Sequence, residues 1–176
     1  LLADHFPFPG AAEKLAYAFG LILINGYTYP TDLYAPIEFG AYDAALRPHP
    51  ITRGRAGKGE AVNSVLTFTG HAFRAKPLTN IQPLMVLGGG VRTYFPSNID
   101  SADFLQELMA APYVASEGMM QGAALELGEG RVVVLGEAGM FTAQKLDSQW
   151  MGMNHPDAKQ NAQFAMNIMH WLSGLL

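Results

Sequence analysis

Residues 1–10, LLADHFPFPG, open the chain with an apolar strand that gives way to a proline-rich turn. Residues 11–19 then predict a helix ending at Gly20, because their apolar side chains recur at helical spacing. Leu21–Ile24 follows as a short, wholly apolar strand. The order strand, helix, strand predicts a parallel βαβ unit, so this stretch favours an α/β fold.

The rest of the chain adds elements of the same kinds. Apolar runs at 84–87 and 132–135 predict two further buried strands, which we expect to be parallel with Leu21–Ile24 because unbroken apolar character suits strands covered on both faces. Other segments predict a β-rich stretch, two helices and an antiparallel hairpin around Gly128-Glu129-Gly130: 62–69, 101–110, 158–172 and 123–135. Residues 27–59 show little periodicity and predict a long irregular insertion within a single domain spanning 1–176.

Composition narrows the class of protein. The 176 residues are 49% hydrophobic, which suits one domain with a real core. Net charge is −4 and the 11 Lys and Arg residues are scattered, which excludes nucleic acid and anionic membranes as expected partners. No apolar stretch nears the roughly 20 residues that span a bilayer. The absence of cysteine excludes disulfides, thiolate metal sites and a cysteine nucleophile, and leaves localisation and oligomeric state open.

Three stretches in order carry a family resemblance: residues 1–20; HPITRG at 49–54 with Glu60; and GEGRVVVLGE at 128–137 with Asn161 and His170-Trp171-Leu172. Together they resemble the class I glutamine amidotransferase-like superfamily, and most closely its uncharacterised branch related to trehalose-utilisation proteins. The resemblance implies a flavodoxin-like, three-layer α/β sandwich with a mainly parallel sheet. It also implies one or more βα units before Leu1.

The same resemblance implies a change of activity. Amidotransferases of this superfamily carry a Cys at the nucleophile elbow, the position at which this chain has Asp4, His5 or Phe6. The glutaminase reaction needs a thiolate nucleophile. We therefore expect no glutaminase activity.

The candidate catalytic residues are Asp4, His5 and Glu137, which follow predicted buried strands. Ligands and catalytic groups gather at the carboxyl ends of parallel strands, so we expect these three at one edge of the sheet. There they would bind a ligand or activate water. The structural alternative is that Asp4 binds the turn, His5 packs, and Glu137 braces the loop 140–142.

The candidate ligand-binding residues are His49, His71 and Tyr27. Pro50 restrains His49 to an extended conformation, which would present its imidazole rigidly, and His71 ends a β-rich run. Tyr27 heads a set of tyrosines whose flat faces and polar tips suit a carbohydrate cleft, or else anchor the long loop: Tyr27, Tyr29, Tyr34 and Tyr42.

These observations leave three functions open. The first is a non-amidotransferase member of the fold that binds a small polar ligand, with carbohydrate as the favoured class, at the edge holding Asp4, His5 and Glu137, over which we expect the long loop to bring His49. The second is a hydrolase, with or without a metal, that uses the same residues, with His5 as base or ligand. The third is a structural interaction module. We expect no cofactor and no metal, because no two histidines have the i, i+4 or i, i+2 spacing of metal ligands.

Overall fold

The computed structural model describes residues 1–33, 35–146 and 149–176. Its helices are α1 (Pro9–Ala18), α2 (Pro50–Arg53), α3 (Phe104–Ala110) and α4 (Asn161–Leu172), with a 3-10 turn at Gly139–Phe141. The strands follow in chain order: β1 (Leu2–Ala3), β2 (Leu21–Ile24), β3 (Tyr27–Pro30), β4 (Ile37–Gly40), β5 (Ser64–Thr67), β6 (Ala72–Ala75), β7 (Gln82–Val86), β8 (Val91–Tyr94), β9 (Tyr113–Ala115), β10 (Met120–Leu127), β11 (Gly130–Leu135), β12 (Ala143–Leu146) and β13 (Gln149–Gly152).

One large sheet organises the chain. Its strand order is β1-β11-β10-β6-β2, with β7 also paired to β10, and it curls into a half-barrel. Strands β1 and β11 are parallel, with Leu2 opposite Val134 and Ala3 opposite Leu135. The other strand pairs of the described residues are antiparallel, including three smaller sheets: β3-β8-β9, β4-β5 and β12-β13.

The prediction of a flavodoxin-like sandwich with a mainly parallel sheet is therefore wrong. Helix α1 does connect β1 to β2, but β2 lies at the far end of the sheet and pairs antiparallel with β6. An apolar run reports that both faces of a strand are covered and says nothing about the direction of its neighbours. The description of the fold as glutamine amidotransferase-like fails for the same reason.

Both faces of the sheet are covered at its centre. Val133 and Leu135 point into a core shared with α2 and α4, whereas Val134 points into a second core beneath α1. This explains the unbroken apolar run of β11, because side chains alternate between two dry faces. Strand β2 differs from the prediction of a fully buried strand, since Ile22 is 42% exposed.

Several local predictions are confirmed. Strands β10 and β11 form the expected hairpin, with Leu127 opposite Gly130 and Gly128 at φ +60° in the turn. The three predicted long helices exist as α1, α3 and α4 with slightly different ends. Within the stretch 27–59 the structure contains two strands and the short helix α2.

Buried asparagines attach α4 to the rest of the domain. Asn161 binds the backbone of Leu66 on β5, and Asn167 donates from Nδ2 to the carbonyls of Ile51 and Glu60, each at 2.8 Å. Buried amides with partners on all sides hold one helix position and disfavour others. Among the described residues, no helix is both long enough and apolar enough to cross a membrane.

Candidate functional site

The candidate residues Asp4, His5 and Glu137 follow the two parallel strands, which end side by side. The backbone N–H of Asp4 donates to the carbonyl of Leu135 at 3.4 Å, so residues 4–5 continue alongside residues 136–137. Gly136 extends the network, since its N–H donates to Gln121 and its carbonyl accepts from the N–H of His71 at 2.7 Å. We call this region the β1/β11 end.

Two glycines allow these segments to approach so closely. A Cβ on Gly136 would overlap the carbonyl oxygen of His71, and a Cβ on Gly70 would overlap the side-chain amide of Gln121. Only glycine provides this close backbone approach. The strand ends are therefore brought together by sequence features that lie more than sixty residues apart.

Asp4 and His5 form hydrogen bonds and a ring contact with neighbouring residues of their own segment. Asp4 Oδ1 accepts the backbone N–H of His5 at 2.8 Å, and the His5 carbonyl accepts the N–H of Phe8 at the start of α1. The imidazole of His5 packs edge-on against the Phe8 ring at 5.9 Å. Its Nδ1 is buried and has no hydrogen-bond partner among the described residues, so His5 retains a free polar atom.

Glu137 is completely buried. Its Oε2 accepts the N–H of Met140 at 2.6 Å, and Thr69 Oγ1 lies 3.5 Å from Oε1. Burial raises the pKa of this carboxyl to about 8, although the hydrogen bonds from Met140, Gly139 and Thr69 act in the opposite direction. The side chain therefore braces the 3-10 turn.

His71 is also buried, with 2% of its surface exposed, and neither ring nitrogen has a hydrogen-bond partner among the described residues. Burial lowers its pKa to about 4, against an opposing effect of Asp4 and with a smaller contribution from His5. The imidazole is therefore neutral at pH 7. Buried polar atoms without partners are rare and costly, which marks His71 as unusual.

His49 lies at the start of α2, away from the β1/β11 end, and caps that helix. Its Nδ1 accepts the N–H of Ile51 at 3.1 Å, and its own N–H donates to Thr52 Oγ1 at 2.8 Å, which closes a capping box at the start of α2. The ring packs edge-on against Trp171 of α4 at 5.2 Å. Burial lowers the pKa of His49 to about 4, and the positive charges of Arg53 and Arg131 add to this effect. No contact is recorded between His49 and Asp4, His5 or Glu137 within the described residues.

The tyrosines divide into separate groups. Tyr27 and Tyr29 stack on β3 with ring centroids 5.9 Å apart, and Tyr27 also contacts Phe6 at 4.4 Å. Tyr42 is 79% exposed, and Tyr34 lies outside the described residues. Nothing in the described part of the chain singles out a carbohydrate for these aromatic rings.

Two open clefts flank the β1/β11 end. The first, which we call the Tyr27 cleft, has a volume of about 490 Å³ and is lined by residues that include His5, Phe6, Tyr27, Thr69, Gln144 and Lys145. The second has a volume of about 450 Å³ and is lined by Tyr29, Phe68, Trp150 and His155 among others. Thr69 and Met151 line both clefts.

Sequence reasoning missed three residues here. Gln121 is fully buried, and Lys145 and Thr69 line the Tyr27 cleft. The sequence around Gln121 could have indicated a buried polar residue, because its long polar side chain occurs in a run of small and apolar residues. The sequence around Lys145 gives no such indication, since its place in the lining of the Tyr27 cleft depends on the position of β12.

The arrangement does not provide a metal centre within the described residues, where no three His, Cys, Asp or Glu side chains are grouped to hold an ion. No protein-family model matches the chain, and no curated protein matches it either.

Proposed function

We propose that this protein binds a small organic anion in the Tyr27 cleft. The observation that carries the proposal is the charge of the lining. Lys145 lies in the wall as a cation, and none of the described residues that line the cleft is an Asp or Glu. A cleft whose described lining holds a lysine and no carboxylate, on a chain of net charge −4, favours a ligand of negative charge.

The size and surface of the cleft agree with a small ligand. Its volume of about 490 Å³ lies within the range of small-molecule sites. Tyr27 and Phe6 supply apolar area, while Thr69 and Gln144 supply neutral hydrogen-bonding groups. Such a mixture of apolar wall and few polar groups is typical of sites that orient one small molecule.

Lys145 is well suited to the charged contact. Its Nζ lies 5.0 Å from the ring centroid of Trp150, so the ammonium group is held by a cation–π contact and no acidic partner is recorded for it among the described residues. A lysine that no carboxylate neutralises can pair with an incoming carboxylate or phosphate. Buried Glu137 does not oppose the anion, because burial raises its pKa to about 8 and keeps it largely neutral at pH 7.

The hydrolase that the sequence suggested has weaker geometry. Glu137 is fully buried and occupied by backbone N–H groups, so it does not reach the cleft as a catalytic carboxylate. A binding function requires only the residues that line the open space.

Thermal-shift measurements with matched probes test the proposal. Succinate, citrate and glycerol phosphate are the anionic probes, and glycerol and glucose are the neutral ones. We expect at least one anion to raise the melting temperature and the neutral compounds to leave it unchanged. Lys145→Gln should abolish the shift, whereas Lys58→Gln, which removes the same charge from an exposed loop, should retain it.

Two results would contradict the proposal. One is a wild-type protein that no anionic probe stabilises. The other is an anion-induced shift of equal size in Lys145→Gln and Lys58→Gln, which would place the anion elsewhere on the surface.

A further inference from the structure

A third, smaller space lies between α1 and the large sheet. It has a volume of about 90 Å³, and its lining includes Leu2, Asp4, Ala12, Ala16, Leu23 and His71. The space exists because α1 presents Pro9, Ala12 and Ala16 to the sheet, and these side chains are too short to reach its floor. We call it the α1 cavity.

One end of the α1 cavity is polar. Asp4 and His71 are the polar residues of its lining, and the Asp4 charge raises the pKa of His71, which shows that the two are near each other. We call the part of the lining that they form the polar end, and the remaining lining residues are apolar. His71 is 98% removed from solvent, yet both its ring nitrogens lack partners among the described residues. A buried polar group left without a partner costs about 1–3 kcal/mol. An occupant that donates a hydrogen bond to the acceptor nitrogen of His71 removes the part of this cost that belongs to that nitrogen.

The charge of the polar end selects the occupant. His71 is neutral at pH 7, because burial lowers its pKa to about 4, and a neutral imidazole offers one acceptor and one donor nitrogen. The Asp4 carboxylate uses Oδ1 to accept the N–H of His5, which leaves Oδ2 for another donor. A cation is therefore favoured at this end. No group of three ligating side chains that could hold a metal ion occurs in the described ranges, which favours an organic cation.

We propose that the α1 cavity is a binding site for a short-chain primary ammonium ion. The ammonium group donates to Asp4 and to the acceptor nitrogen of His71, and the alkyl chain lies against Ala12, Ala16 and Leu23. A water molecule takes about 30 Å³ of liquid volume, and a dry cavity of about 150 Å³ in another protein holds benzene. The α1 cavity therefore suits a ligand of about three to five non-hydrogen atoms, such as n-propylammonium.

Calorimetric titration with n-propylammonium at pH 7 tests the site directly. We expect saturable one-site binding to the wild-type protein and no binding of propionate, which has the same chain length and the opposite charge. Ala12→Leu fills the cavity and should abolish binding. Ala11→Leu makes the same change at the neighbouring exposed position of α1 and should leave binding intact.

Two further measurements separate the polar contact from simple filling of space. Asp4→Asn keeps an oxygen for the His5 N–H and removes the charge, so it should weaken binding at least about tenfold, as loss of a charged hydrogen bond does. The imidazole ¹⁵N resonances of His71 should shift on titration in proportion to the bound fraction. This readout remains informative if Ala12→Leu fails to fold.

The proposal is overturned if the wild-type protein shows no saturable binding, which would mean that the cavity holds buried water only. Equal binding by Ala12→Leu and Ala11→Leu would also overturn it, as would propionate binding as tightly as n-propylammonium. His71 resonances that do not move at saturation would place the ammonium ion outside the cavity.

Discussion

Asn161 forms a two-point hydrogen-bond contact with the backbone of Leu66. Its Oδ1 accepts the N–H of Leu66 at 2.9 Å, and its Nδ2 donates to the carbonyl of the same residue at 2.8 Å. The same Nδ2 lies 3.2 Å from the carbonyl of Met140. One buried amide at the start of α4 thus joins β5 to the turn that follows Glu137.

Replacing this amide should destabilise the whole domain. Asn161→Ala leaves the buried N–H and C=O of Leu66 without partners, so we expect a loss of about 2–4 kcal/mol in the free energy of unfolding. Urea denaturation followed by circular dichroism measures it. The exposed Asn154 supplies the control, since Asn154→Ala should change stability by less than about 0.5 kcal/mol. Equal losses in the two variants would show that the contact contributes nothing.

Glu137 should make the protein less stable as pH rises. Its folded pKa of about 8 lies above the ordinary value of 4.5, so the folded state binds more protons than the unfolded state between these values. Its stabilising contribution is fully present below about pH 4.5 and is lost as pH rises to about 8. Urea unfolding at a series of pH values should show this decline in the wild type and its absence in Glu137→Gln. An identical decline in both proteins would assign the pH dependence to other groups.

His71 should lower the stability of the protein at acidic pH. Its folded pKa of about 4 lies below the ordinary 6.5, so the unfolded state binds more protons between these values. The contribution of His71 to stability is therefore lost as pH falls from about 6.5 to 4, against the gain from Glu137 over the same range. His71→Leu should reduce this acid loss, and the remainder should come from His49, whose pKa is lowered to a similar value.

The same variant should be no less stable than the wild type at pH 7. Both ring nitrogens of His71 are buried and have no hydrogen-bond partner in the described parts of the chain, and an apolar side chain of similar size removes that cost. A loss of more than about 2 kcal/mol, typical of a broken buried network, would show that the nitrogens are satisfied in solution. The variant should also lose binding of n-propylammonium, which would separate stability from ligand recognition at one position.

His49 should contribute through its cap and not through a ligand. His49→Ala removes the acceptor for the Ile51 N–H, and loss of such a cap costs about 1 kcal/mol. His49→Asn restores a good capping side chain and should recover most of that loss. Thermal unfolding of both variants measures the difference. Anion binding in the Tyr27 cleft should be unchanged in His49→Asn, and a loss there would return His49 to the site.

The capping role of His49 was available in the sequence. Pro50 stands at the first helical position and Thr52 follows at the third, which is the spacing of a capping box. The helix that His49 begins is only four residues long and too short to show a periodicity, so the pattern of residues 27–59 predicts an irregular stretch instead. A local signal of this kind depends on the four consecutive residues 49–52 and needs no knowledge of the fold.

The β10–β11 hairpin and the helices α1, α3 and α4 were determined by the sequence itself. Their turns and periodic faces involve residues a few positions apart, so local sterics and hydrogen bonding specify them. The directions of the strands were decided only by the tertiary structure. Leu21–Ile24 would have the same apolar composition whether it paired in parallel with β1 or, as observed, antiparallel with β6. An apolar strand indicates that its two faces are covered by other parts of the protein, and it does not indicate the direction of the neighbouring strand.

The candidate site shows the same division. The sequence placed Asp4, His5 and Glu137 after strands, and the pairing of β1 with β11 brings those strands to a common end. The chemistry of that end was decided by packing. Glu137 is enclosed by its own turn, and the ring nitrogens of His71 have no partners beneath α1 among the residues that the structure describes. Lys145 lines the Tyr27 cleft from a hairpin more than a hundred residues away from Tyr27. The burial of a side chain and its hydrogen-bond partners depend on which segments pack together in the folded chain. The residue types alone therefore do not predict them.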